Sequence, residues 1–453
     1  MDKKGTDIRW PHLNDSLRDF ALAAIKKIEC LYKDRDSYPT SSRWEWIEGS
    51  GGLTYGAFVD VKDHEIAVWE CEKELESLLE YKALLEAIQK DGLAPDFSGY
   101  EVTCYSILPL KAKTIIHAFL EEMLSRYEVS QDALSSFREF YPQFEDALTR
   151  TEIEITVVAH LQGFYSEIEE LEFDNAAKLR RLSLQEMNKL YGHESFYPHS
   201  KYTNYRYVLI STCKTERTLL PDRPTKNNFK APEDAVIERM HEIVKLFRIF
   251  KPGHIEIDNT ISYPSNWEIE RHRRSWVHSS DIFISDPFSL NQSDIKPFKE
   301  FYCNYVSMSS EKNKKFANAL RWLSQASIRK LKDDRFLDYV IALESLYVEG
   351  NEEVSYRISM RSAHFLGANK HERNRIFHLM RTAYKIRSVM VHDGKSLPKE
   401  VKIESVGTMS GDAFLNEIGV ICFTTLKKIV NSKGNDFPTT SKAWDELILL
   451  GRT

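Results

Sequence analysis

The chain has 453 residues, 62 Lys and Arg against 68 Asp and Glu, a net charge of −6, and 12% aromatic content with only 18 Gly and 15 Pro. That length predicts about two to four domains, and the composition excludes collagen-like, linker-like and wholly disordered chains. No apolar run approaches the roughly 18 residues of a membrane helix, and the charged start MDKKGTDIRWPHLNDS is followed by no apolar core. The six cysteines (Cys30, Cys71, Cys104, Cys213, Cys303, Cys422) stand singly, with no spacing suited to zinc. The expectation is a soluble, cytoplasmic chain with reduced, mostly buried thiols, no cofactor, no metal and no membrane partner.

In chain order, DSLRDFALAAIKKIECLYKD predicts a helix with Asp15 or Ser16 as N-cap. LTYGAFVDVKDHEIAVWEC alternates, which predicts a strand pair turning at Lys62-Asp63. Helices follow over 72–90 and 112–141, then a strand from Glu152 within TEIEITVVAHLQGF. LRRLSLQEMNKLYG reads as a helix entry, YRYVLISTCKTERTL as a strand, and 220–232 as a loop rich in Pro, Asn, Asp and Lys. DAVIERMHEIVKLFRIFKPG is an amphipathic helix with a Pro-Gly stop, and HIEIDNTISYP a strand.

From about residue 287 the pattern turns helical. SDIKPFKEFYCNYV, EKNKKFANALRWLSQASI, DRFLDYVIALESLYV, VSYRISMRSAHFLG, KHERNRIFHLMRTAYKIRSVMVHDG and GDAFLNEIGVICFTTLKKIV are six candidate helices on short connections, as in an antiparallel bundle. The expected architecture is multidomain: a mixed α/β domain over 1–148, an α+β middle domain over 149–290 and an all-α bundle over 291–453.

Charge is unevenly spread. Eleven acids face four lysines between 60 and 96, whereas nine Lys and Arg face two acids between 357 and 395. One basic stretch on an acidic chain points to a local anionic partner, with a solvated helix face as the plainer reading.

Within that stretch, Tyr384 to Gly394 holds the residues best suited to chemistry. On a helix, Ser388 and His392 share a face, and Arg387 lies about 140° around and roughly 7.5 Å along the axis from His392. Val389, Met390 and Val391 are expected to anchor the turn, and Gly394 to close it as a left-handed cap. Imidazole titrates near neutrality, as general acid/base work requires. An Arg and a His without a carboxylate cluster fit metal-independent phosphodiester cleavage. Arginine binds the scissile phosphate while histidine moves a proton from the 2′-hydroxyl or to the leaving 5′-oxygen, which requires RNA. An Arg and a His at this spacing are common, and spacing alone favours a surface Arg and a helix-end His.

Other patterns are weaker. Arg271 to His278 mixes cations with Trp276, suited to stacking a base or to a plain solvated loop. His272, His278, Asp281 and Asp286 have no ligand spacing. His364, His371 and His378 recur at sevens, as helix packing or a polar face would place them. Phosphate-loop, dinucleotide, zinc-protease and serine-hydrolase motifs are missing.

Taken together, residues 321–395 resemble the Apea-like HEPN domain family. That family pairs an A-L-E-x-L helix with a downstream Y-x-x-R-S-x-x-V-H-x-G, here Ala342-Leu343-Glu344-Ser345-Leu346 and Tyr384 to Gly394. Arg387 and His392, four residues between them, match the R-x4-6-H motif of HEPN ribonucleases. The resemblance implies an all-α HEPN helical bundle that forms a homodimer, joins two motifs in one cleft and cuts RNA without metal, in prokaryotic antiphage defence or a toxin role. It implies that Arg387 is the phosphate ligand and His392 the proton-transfer residue. Ser388 and Glu344 would assist them, with an exposed acid or a simple salt bridge as the other reading of Glu344. Tyr384, Arg381, Lys385 and Lys395 would bind substrate, with core packing the plainer reading of Tyr384. The N-terminal portions would then be sensor, guiding or inhibitory domains answering an activating ligand or protein. The alternative is a HEPN module that binds RNA or a protein partner and uses Arg387 and His392 structurally.

Overall fold

A computed structural model describes residues 9–33, 37–49, 52–91, 99–102, 107–174, 177–191, 206–220, 232–268, 274–277, 287–308, 310–350 and 352–450. They form two compact units, one from 1–161, 174–240 and 257–281, the other from 162–173, 241–256 and 282–453.

In the first unit the opening helix is Pro11–Lys33, which starts ahead of both expected caps, Asp15 and Ser16. Proline suits a first helical turn, and distant carboxylates, rather than Asp15 or Ser16, take up amides at the start of the helix. Glu145 Oε1 accepts from Arg9 N at 2.9 Å and Trp10 N at 3.1 Å, and Asp91 Oδ2 from Leu13 N at 2.7 Å. Asp15 instead pairs with Arg18 at 2.9 Å. The buried stripe Leu17, Phe20, Ala24 and Ile28 packs with Leu84, Ile88, Phe119, Phe140 and Phe144 from three later helices.

Two expected helices are divided. The 72–90 stretch forms Glu72–Glu76 and Leu79–Lys90. The 112–141 stretch forms Ala112–Ser130 and Ala133–Thr149, because Gln131 adopts φ 56° and Asp132 caps the next helix from the amides of Leu134 and Ser135. The turn expected at Lys62-Asp63 is also a cap. Thr40–Gly49 pairs antiparallel with Gly52–Lys62, and the Asp63 carboxylate accepts from Ile66 N at 3.0 Å to open the helix His64–Glu70. Local hydrogen bonding by Asp overrode the alternating pattern.

Strands Arg274–Val277, Glu256–Pro264, Glu152–Gln162, Tyr207–Glu216 and Ala177–Arg181 lie in that order in a sheet. Val158, Val208 and Ile261 pack there with Leu182 and with Met187 of the helix Leu184–Tyr191. The loop expected over 220–232 lies outside the described residues except at its ends.

Burial pushes the His64 imidazole below its usual 6.5 despite Glu128 Oε2 at 3.0 Å, and burial with Lys113 does the same at His117. Both rings bind protons more readily once unfolded, so their contribution to stability is complete above about pH 6.5 and is lost as pH falls below it. The urea midpoint should therefore fall between about pH 7.5 and 5.5, and fall less in His117→Gln. An unchanged midpoint would mean that these rings protonate within the fold.

All six helices expected in the second unit form: Ile295–Val306, Ser310–Ile328, Lys332–Tyr347, Val354–Leu366, Lys370–Asp393 and Gly411–Asn431. The hairpin of Glu400–Ile403 with Gly407–Ser410 and the helix Ser441–Leu450 were not anticipated. An aromatic core joins them to upstream chain: Phe247 stacks on Phe298 at 4.4 Å, and Phe164 on Phe288 at 5.9 Å. Phe288–Leu290 pairs parallel with Phe164–Ser166. Arg248 is half-buried, and desolvation pushes its guanidinium down to about 10; it donates to Ile255 O at 2.9 and 2.6 Å and to Ser324 Oγ.

Among the described cysteines only Cys71 and Cys422 are buried; Cys30 and Cys303 are exposed and Cys213 is half-buried, so the expectation of mostly buried thiols fails. No helix of the described residues is long and apolar enough to cross a membrane.

Candidate active site

The helix Lys370–Asp393 is defined at both ends by its own residues. Asn369 accepts from Glu372 N at 2.9 Å, Glu372 Oε2 accepts from Ala368 N at 2.9 Å, and Gly394 closes the helix at φ 66°. The expected left-handed cap is therefore present. Of its 24 residues only Leu379, Met380, Ala383 and Met390 are buried, so a narrow apolar stripe anchors it. Of the three residues expected to anchor the last turn, Met390 alone is buried. Val389 is half-buried and Val391 is 52% exposed, since 100° steps carry a run of three around the helix.

Three of the expected site residues meet. Arg387 Nη2 lies 3.6 Å from Glu344 Oε2 on the helix Lys332–Tyr347, with the two side chains 23% and 28% exposed. The Arg387 guanidinium carbon is 5.8 Å from the centre of the Tyr384 ring. Among the described residues Arg387 Nε, though buried, has no acceptor. An ion pair at this depth is screened only in part, and it restrains a guanidinium whose side chain is still partly exposed. Ser388 is half-buried one turn before the exposed His392. Arg381 and Lys385 are exposed, with the Arg381 guanidinium 6.0 Å from the Phe377 ring. Lys395 lies beyond the cap, 70% exposed and 3.9 Å from Asp393.

The basic stretch is sorted by the fold. Arg361 is buried, donates to Tyr347 O at 2.7 Å and lies over Trp444. Arg357 donates to Glu349 O at 2.8 Å, Arg373 to Gly367 O at 3.1 Å, and Arg375 pairs with Glu417 at 2.6 Å. These four serve packing and helix ends. The cationic surface reduces to Lys370, Arg381, Lys385 and Lys395, with Arg387 beside Glu344.

The histidines at sevens have three different surroundings. His364 is half-buried, with its imidazole pushed down by burial and by Arg373; His371 is exposed; His378 Nδ1 is 3.4 Å from Glu404 Oε2. Of the Arg271 to His278 stretch only 274–277 is described, as a strand; His272, His278, Asp281 and Asp286 lie outside the described residues. Among the described residues no group of three or more His, Cys, Asp or Glu could hold a metal ion.

One residue escaped sequence reasoning. Tyr356, on the helix Val354–Leu366, is 54% exposed, and its ring stands 6.3 Å from Phe377. Its only signal in the sequence is an aromatic on the polar side of an amphipathic helix. Compared with models of protein families, with curated proteins and with solved structures, the chain matches none, so the reading of this site rests on its own side chains.

Proposed function

We propose that the chain is a metal-independent endoribonuclease of the HEPN type, acting as a homodimer in prokaryotic antiphage defence or as a toxin. The observation that carries this reading is Arg387, held 3.6 Å from Glu344 and against Tyr384, on the same capped helix end as the exposed His392. An oriented guanidinium and an accessible imidazole are the two groups that transesterification of RNA needs.

In this reading Arg387 donates to the non-bridging oxygens of the scissile phosphate and stabilises the charge that builds there. His392 takes the proton of the 2′-hydroxyl, or gives one to the departing 5′-oxygen. The 2′-oxygen bonds to phosphorus as the bond to the 5′-oxygen breaks, leaving a 2′,3′-cyclic phosphate and a 5′-hydroxyl. Glu344 is a positioning residue that acts through Arg387. Pairing two copies of the bundle brings two such motifs together, and the region 1–290 receives the activating ligand or protein.

Purified chain incubated with total cellular RNA in EDTA should cut it at discrete sites, leaving cyclic phosphate ends. An all-deoxyribose strand should be inert. Cleavage that requires added divalent metal would overturn the mechanism, and RNA binding without cleavage would replace the enzyme with a binding module.

A further inference from the structure

The solvent face of Lys370–Asp393 has an order of its own. With 100° between residues, Lys370, Asn374, Arg381, Lys385 and His392 fall within about 40° of one line, which runs about 33 Å. All five are exposed. The two acids of the helix lie off that line, Glu372 about 160° and Asp393 about 100° away. The line therefore presents cations, an amide and an imidazole with no carboxylate between them.

Its two flanks differ. On one side stand Tyr384 and Phe377, and Tyr356 on the adjacent helix, 54% exposed, extends that aromatic edge with its ring 6.3 Å from Phe377. Arg381 bridges line and edge, its guanidinium 6.0 Å from the Phe377 ring. On the other side His378 meets Glu404, whose side chain is 76% exposed and would repel a phosphate. Evenly spaced phosphates fit the line, flat apolar faces fit the aromatic edge, and the acid closes the opposite flank. A single strand offers phosphates and unstacked bases together, whereas a duplex hides its base faces.

Resting on the ribonuclease reading, we propose that a single-stranded RNA lies along this helix from His392 toward Lys370. Its phosphates meet Lys385, Arg381 and Lys370, and its bases meet Phe377 and Tyr356. Tyr356 is a binding residue in this arrangement, and Lys395, beyond the cap, lies outside the track.

The test is binding of a labelled, uncleavable 2′-O-methyl RNA of about 12 nucleotides to the full chain, a length within the range of single-strand sites. Three phosphate contacts predict a slope of about 2 when log Kd is plotted against log salt, reduced by about 0.7 in Arg381→Ala and again in Lys385→Ala. Tyr356→Ala should weaken binding about 5- to 100-fold at every salt concentration and leave the slope unchanged. Failure to bind, slopes indifferent to both cations, a preference for the duplex of the same sequence, or equal affinity for polyglutamate would each overturn the track. Cleavage separates the two readings. If the native chain cuts RNA while all three variants bind and cut as it does, the track falls and the ribonuclease stands. If the variants lose binding as expected but the native chain cuts nothing, the track stands and the ribonuclease falls.

Discussion

His392→Ala should lower RNA cleavage by about 10²- to 10⁴-fold, the usual weight of a positioned proton-transfer group. It should leave the fold intact. His392 is exposed in the last turn, and the helix is anchored by Leu379, Met380, Ala383 and Met390, so the cost in stability should stay within about 0.5 kcal/mol. Arg387→Ala should bring a comparable loss through the phosphate and also leaves the Glu344 carboxylate without its partner at 3.6 Å. Arg387→Lys separates those effects: an ammonium still pairs with Glu344 but cannot grip a phosphate with two parallel donors. Cleavage by Arg387→Lys should therefore stay close to that of Arg387→Ala, while its thermal midpoint stays close to native. Persistent cleavage in His392→Ala would remove that residue from the chemistry. Loss of near-UV circular dichroism would make it structural instead.

Gly253→Ala should destabilise the chain by about 2–4 kcal/mol, the largest effect expected away from the candidate site. Gly253 has φ +146°, and a Cβ there would stand 2.5 Å from Phe288 Cα. That neighbour is backbone and is held in place. Phe288 N donates to Gly163 O at 2.8 Å and His254 O at 3.1 Å, and its strand pairs with Phe164–Ser166. Any shift that admits the methyl disturbs this junction and the stacked rings of Phe164 and Phe288. Gly394→Ala is the comparison: φ is +66°, but nothing lies within 4 Å of the added Cβ. It should cost only about 1 kcal/mol, the ordinary penalty for a side chain in the left-handed region. Equal urea midpoints for the two variants would show that Phe288 yields freely.

The candidate site was partly legible in the sequence. The helix carrying Arg387 and His392, its end at Gly394 and the face shared by Ser388 and His392 all follow from period and cap chemistry within one segment. The meeting of Arg387 with Glu344 was expected only by resemblance, because 43 residues separate them and no periodic pattern spans that distance. The basic stretch was the weakest guide. Nine cations in 39 residues suggested a charged face, yet Arg357, Arg361, Arg373 and Arg375 turn to carbonyls or to Glu417, which a count of charges does not register.

The same division runs through the fold. By itself the sequence determined the six helices of the C-terminal region, the strand from Glu152 and the Pro-Gly stop after Phe250, because side-chain period and local turn chemistry act over a few residues. Only the tertiary structure decided that the first helix starts at Pro11, that its free amides go to Asp91 and Glu145, and that Phe164–Ser166 pairs with Phe288–Leu290. Each of these depends on a partner 78 to 136 residues away. Backbone donors must find acceptors once they are buried, and which acceptor is near is settled by packing rather than by neighbouring residues.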